Sequence, residues 1–228
     1  MSYVIAPPAV TSLAVIGSEQ RFPVRRVFCI GRNYAEHARE MGVTVDPGMP
    51  MFFCKPADAV VSDDGDVPYP PLTDDLHHEV EMVLALGAGG SNVDAGAAMA
   101  LVYGYGVGLD LTRRDLQRQV KAKAHPWEIA KAFDHSAPVS ALCPAARATP
   151  GPDTVLRLHV NGELRQQARL AEMVHGVPQI IGALSTLFEL KAGDLIFTGT
   201  PSGVAALHRG DRFHAELQGL AELHGRIV

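Results

Sequence analysis

The clearest pattern in the chain is the run Glu79–Leu86, where residues alternate between two sides for eight positions. A period of two predicts a strand that puts Val80, Met82 and Leu84 on one face and Glu79 and Glu81 on the other. Further β-rich runs are Val24–Ile30, which stops at Gly31, the glycine-rich but apolar Tyr103–Leu111, and Leu156–Val160. The last leads into Asn161-Gly162, a strong hairpin signal. Leu195–Thr198 and Arg212–Leu217 each follow a Gly-Asp turn. Helical spacing is rarer. It marks Asn33–Met41, closed by Gly42 as a C′ glycine, and Val177–Leu187. Thr112-Arg-Arg-Asp115 reads as a capping box opening a helix through about Lys121. Loops are expected over Val43–Pro50 and over the Pro- and Ala-rich Ala141–Pro152. The result is an α+β chain, mostly β with a few helices. Its strands and helices do not alternate regularly, which argues against a doubly wound parallel sheet.

Composition narrows the picture. A length of 228 residues suits one domain with a substantial core, or a core domain plus a short N-terminal extension. A net charge of -5 argues against a nucleic-acid partner, which needs a basic face. No apolar run reaches membrane-spanning length, and the opening residues lack a basic leader, so no membrane partner and a cytoplasmic location are expected. Cys29, Cys54 and Cys143 are odd in number and far apart, and read as three buried free thiols. No glycine-rich nucleotide motif follows a strand.

Candidate chemistry centres on His77-His78-Glu79-Val80-Glu81. Glu79 and Glu81 stand roughly 7 Å apart on one strand face, within reach of one hard cation. Asp110, at the end of the glycine-rich strand, is the third ligand candidate. Three converging carboxylates repel unless a cation neutralises them, and an all-oxygen set favours magnesium, manganese or calcium. On spacing alone, two glutamates solvating an edge strand account for the pattern equally well. His37 and Glu40, three apart on a predicted helix, form a pair able to act as a general base and its orienting carboxylate, or an ordinary surface pair. Arg114 and Gln117 share a helix face just after Asp110, Lys131 follows, and Thr198-Gly199-Thr200-Pro201 offers amides and hydroxyls in a small-residue loop.

In this order these pieces resemble the fumarylacetoacetate hydrolase family. The resemblance rests on Gly31-Arg-Asn-Tyr with His37 and Glu40, Lys55-Pro56, His78-Glu79-Val-Glu81, Gly108-Leu-Asp110, Arg114 and Gln117. It continues through Lys131 in Ala-Lys-Ala-Phe and Asn161-Gly-Glu to Gly193-Asp-Leu-Ile-Phe-Thr-Gly-Thr-Pro-Ser-Gly203. Ala6–Val10 and Phe52–Val61 look most like the bacterial fumarylpyruvate hydrolase branch, which serves the gentisate route of aromatic degradation.

The resemblance implies a mixed β-sandwich roll over residues 24–228, after a short N-terminal extension of residues 1–23, and a homodimer, for which an apolar strand face near Leu195–Phe197 would suit a buried interface. It also implies one Mg2+ or Mn2+ per subunit on Glu79, Glu81 and Asp110, and a lid helix carrying His37 and Glu40. The expected substrate is a β-diketo acid cleaved between carbons. His37 and Glu40 then activate water, Lys131 and Gln117 donate to the developing oxyanion, and Arg114 with the Gly199–Thr200 loop binds substrate. Arg32 and Arg39 are candidates for reading a distal carboxylate. An oxaloacetate decarboxylase or dienoate isomerase of the same fold is the alternative, and a non-catalytic β-sandwich binding a divalent ion or small acid stands behind both.

Overall fold

In the computed structural model, which describes residues 2–42 and 48–228, strand Val80–Leu86 is buried at every position. It lies inside a six-stranded sheet and not at an edge. We label the long strands β1 (Ser12–Val15), β2 (Ser18–Pro23), β3 (Arg26–Gly31), β4 (Met51–Lys55), β5 (Val80–Leu86) and β6 (Val102–Leu109). Then follow β7 (Val155–Val160), β8 (Glu163–Arg169), β9 (Asp194–Phe197), β10 (Arg212–Leu217) and β11 (Ala221–Arg226). The central sheet runs from the short strand Cys143–Pro144 through β6, β5, β9 and β3 to β4. Only β9 and β3 pair in parallel; the other neighbours are antiparallel. A second, antiparallel sheet has the order β8-β7-β10-β11.

Alternation assigns the two faces of the central sheet to two cores. Phe28, Ile30, Met82, Leu84 and Ile196 point into the layer shared with Leu156, Leu158, Phe213, Ala215 and Leu223 of the second sheet. Ile180, Ile181 and Leu184 of a helix close that layer. Val27, Cys29, Val83, Ala85, Leu195 and Phe197 point the other way, against Leu13, Val15 and Phe22 of the β1–β2 hairpin. The hairpin therefore covers one face of the same domain. This is a mixed β-sandwich with a few helices, as the fold expectation had it.

The helices are α1 (Ala35–Glu40), α2 (Arg114–Ala122), α3 (Glu128–Lys131) and α4 (Val177–Leu187), beside the short turn of helix Ala95–Ala98. Gly42 ends α1 with φ +68°, and its N–H donates to Arg39 O, the geometry a C′ glycine supplies. Asn161 and Gly162 both have positive φ, which makes the β7–β8 turn of the primed kind.

Several expectations fail for identifiable reasons. The capping box at Thr112–Asp115 does not form. Thr112 pairs with His77 in a three-stranded patch and its hydroxyl donates to Asp110 O, while Asp115 accepts from Thr73 Oγ1. Ala141–Pro152 is not simply a surface connection, since Leu142 is buried in the second core and Cys143–Pro144 pairs with β6. Cys54 is exposed; only Cys29 and Cys143 are buried. Leu195–Phe197 lies wholly inside one chain, so it offers no face to a partner. The expected loop Val43–Pro50 lies largely outside the described residues, of which it shares Gly48–Pro50. Among the described residues no helix is long and apolar enough to cross a membrane.

Candidate active site

Where β5 begins and β6 ends, the ladder carries charge instead of apolar side chains. Glu79 O accepts from Asp110 N at 2.8 Å, so the residues flanking the two strand ends face each other. Ligand oxygens of Glu79, Glu81 and Asp110 all lie within 4.8 Å of one another, and all three residues are buried. Burial rules out the solvated edge strand that spacing alone allowed. Three buried carboxylates this close need compensation. Lys131 Nζ bridges Glu79 at 2.8 Å and Asp110 at 2.7 Å. Lys55 Nζ sits 2.9 Å from Asp110 Oδ1, in ion-pair contact but off the hydrogen-bonding direction, so that oxygen accepts no hydrogen bond. The Arg114 guanidinium pairs with Glu79 Oε1.

The titration behaviour follows from these neighbours. Burial alone would raise Glu79, but Lys131, Arg114 and His37 outweigh it and hold its carboxyl well below the usual range. Glu81 is pushed the other way by burial, then by Asp110 and Glu79, and Gly199 N–H, 2.6 Å from Oε2, offsets only part of this. Glu81 is thus the carboxylate of the three most in need of a neutralising partner. A hard divalent cation would take over that neutralising task from three oxygen donors, the chemistry such ions favour. The donor set fits.

The remaining predicted residues converge on the same cavity. His37, Glu79, Glu81, Asp110, Arg114, Gln117, Lys131 and Thr200 all line it. His37 Nδ1 is 3.2 Å from Glu40 Oε2, which leaves Nε2 as its available nitrogen. Glu40 also accepts from Gly203 N at 3.3 Å, tying α1 to the loop after β9. That loop depends on glycine. Gly199 has φ +98°, and a Cβ there would lie 2.6 Å from Asn33 Cβ. Gly203 has φ +95°, with Arg165 O 2.3 Å from the same added atom. Gln117 Oε1 accepts from Arg114, so its NH2 group remains to donate. Arg114 donates to Gln117 and Glu79 from its two terminal nitrogens, each of which carries a further N–H.

Some residues escaped the sequence reading. Gln166 on β8 is buried and uses both ends of its amide. Its oxygen accepts from His78 Nδ1 and Val80 N, and its NH2 donates to Thr200 Oγ1 and Pro201 O. It thus fixes Thr200. Burial depresses the His78 imidazole to about 4, and the hydrogen bond to Gln166 offsets only part of that. Asn33, quoted only as motif, clamps Thr198 O and both backbone groups of His175. Lys121 lines the cavity with Arg114 and Gln117, and the spacing 114, 117, 121 was the available signal. Arg32 lines it too, in a left-handed conformation with φ 60°, uncommon for a residue with a side chain. Arg39 does not reach it: its side chain is exposed and paired with Glu36.

Comparison with known proteins agrees with this geometry. Residues 26–228 match the family described as fumarylacetoacetate (FAA) hydrolase C-terminal. The structure of fumarylpyruvate hydrolase from Pseudomonas aeruginosa, in complex with Mn2+ and pyruvate, superposes with a TM-score of 0.95. It is 46% identical, and the match covers 100% of this chain and 99% of that one. A Burkholderia cenocepacia protein provisionally named fumarylpyruvate hydrolase gives 0.92 at 50% identity, covering 100% and 98%. Among sequences, oxaloacetate tautomerase YcgM of Escherichia coli K12 is 43% identical over 199 residues, covering 87% of this chain and 90% of that protein. The chain belongs to the fumarylacetoacetate hydrolase family.

Proposed function

We propose that this protein is a divalent-cation-dependent hydrolase that cleaves the carbon–carbon bond of an acylpyruvate, with fumarylpyruvate preferred and fumarate and pyruvate as products. The observation that carries this reading is the convergence of three buried carboxylates, the His37–Glu40 pair and an unpaired cationic wall on one cavity. Lys55, Lys131 and Arg114 balance the three carboxylates charge for charge. An added divalent cation, with Arg32 and Lys121 nearby, leaves a positive excess that suits a dianionic substrate. Among the described residues, neither Arg32 nor Lys121 makes an ion pair with a carboxylate. The crystallised Mn2+ and pyruvate complex of the Pseudomonas aeruginosa relative supports the same assignment.

Glu79, Glu81 and Asp110 would hold magnesium or manganese, whose Lewis acidity would make the pyruvate fragment a tolerable leaving group. His37 Nε2, its ring oriented by Glu40, takes a proton from water as the water oxygen bonds to the distal carbonyl carbon. The Gln117 NH2 and the Lys131 ammonium donate to the oxyanion. Lys131 must leave its carboxylates to do so. The carbon–carbon bond then breaks, its electrons pass to the pyruvate fragment, and the proton held by His37 returns there. Thr200, fixed by Gln166, and Arg114 orient the carboxylate and oxo groups. Arg32 and Lys121 take the second carboxylate of a fumaryl substrate. A homodimer belongs to this reading through the family resemblance, with an interface away from the interior strand β9.

A second reading, oxaloacetate tautomerase, is favoured by the name of the Escherichia coli relative. It moves a proton and breaks no carbon–carbon bond. Pyruvate release from fumaryl-, acetyl- and oxalylpyruvate, with and without chelator, tests the proposal. Fumarylpyruvate should exceed acetylpyruvate in kcat/KM by about ten- to a hundredfold, the contribution of a charged hydrogen bond. Equal values remove the fumaryl preference; no pyruvate from any acylpyruvate removes the hydrolase.

A further inference from the structure

The second sheet has one face in the core and one in solvent, and on the solvent face three histidines fall in a row. His159 pairs with His214 across β7 and β10, and His214 pairs with His224 across β10 and β11. The His214 and His224 rings lie 4.3 Å apart at 5°, and His159 lies 6.1 Å from His214. Glu222, two residues before His224, points to the same face. The neighbouring Glu216 is already engaged by Arg157 at 3.2 Å. Glu222 instead reaches the imidazoles, with Oε2 3.3 Å from His214 Nε2 and 3.5 Å from His224 Nε2. His159 Nδ1 has no hydrogen-bond partner. Beyond the row, Arg212 and Arg226 face each other across the ladder, and Asp66 neutralises Arg226.

We infer that His214, Glu222 and His224 form a second metal site, selective for a borderline divalent ion of the zinc, nickel or cobalt kind. Two imidazoles and a carboxylate are a recurrent ligand set for such ions, whereas the all-carboxylate cluster of the cavity suits harder ones. Ligands on a tetrahedral ion with bonds of about 2.0–2.1 Å stand about 3.3 Å apart, close to the separations already present. The rings are nearly parallel, so one must turn to aim its lone pair at the ion. Side-chain exposures of 38% for His214 and 54% for His224 leave that rotation open. The three ligand atoms lie within 4.8 Å of one another with open positions facing water. The site therefore takes a zinc-class ion from solvent independently of the hydrolytic reading.

Calorimetric titration of the full chain with Zn2+, in excess Mg2+ to occupy the carboxylate cluster, tests this. A zinc event is expected whose affinity falls at least about tenfold in His214→Ala and in His224→Ala, while Mg2+-supported turnover is unchanged. Both substitutions are on an exposed face, so the fold should survive. Zinc titrations of the two variants that superimpose on that of the unsubstituted chain would overturn the site.

Discussion

The two sheets carry comparable polar residues under opposite conditions. In the central sheet both faces are buried, so Glu81 and Asp110 persist only inside a network with Lys55, Lys131, Gly199 and, by its chemistry, a cation. In the second sheet the same alternation leaves Arg157, Glu216 and the histidine row on the partly exposed outer face, where each pair gains little. Burial thus decides which charges are interdependent. A carboxylate removed from the first set strands its partners, while one removed from the second strands nothing.

Eight substitutions, in five groups, probe that contrast, from the largest effect to the smallest. Glu81→Ala and Asp110→Ala should abolish both turnover and high-affinity Mn2+ binding, since each deletes a ligand and a neutralising charge; Mn2+ titration and pyruvate release read both. His37→Ala should lower kcat by about 10²–10⁴-fold with metal binding intact, and Glu40→Gln by less. Neutral burial of His78 gives a pH-dependent stability. Its folded pKa of about 4 lies below the unfolded value near 6.5, so the unfolded chain binds the proton first. Stability from this source is complete above pH 6.5 and falls as pH drops toward 4, by about 3 kcal/mol at most. Urea unfolding in chelator should show that fall in the unsubstituted chain and less of it in His78→Gln. Arg32→Met and Lys121→Met should each cost fumarylpyruvate about ten- to a hundredfold in kcat/KM and leave acetylpyruvate nearly unchanged. Arg157→Ala, on the exposed face, should shift stability by less than about 1 kcal/mol in the same unfolding assay.

What the sequence made legible follows the same divide. Strong alternation located β5, and helical spacing located α4 at its observed bounds, because both patterns report burial directly. Residues grouped by local spacing, such as His37 with Glu40 and Arg114 with Gln117, were readable for the same reason. Gln166, Asn33 and Lys55 were not assigned roles, because their partners lie far along the chain: Gln166 meets His78 and Thr200, and Lys55 meets Asp110. The capping box misled because Thr112 had a stronger use as a strand partner of His77. The strands β8 and β11 were missed because their buried positions are Gln166 and Ala168, and Ala221 and Leu223, too few large apolar residues to make an alternation visible.

The claim on which the account turns is that water, activated at His37 beside a carboxylate-held cation, cleaves an acylpyruvate. Side-by-side kinetics on one Mn2+-loaded preparation test it most directly, comparing pyruvate release from fumarylpyruvate with enol-to-keto conversion of oxaloacetate. The account predicts efficient pyruvate release that chelator abolishes, Mn2+ restores and His37→Ala lowers by about 10²–10⁴-fold. Rapid oxaloacetate tautomerisation with no pyruvate released from fumarylpyruvate would contradict it.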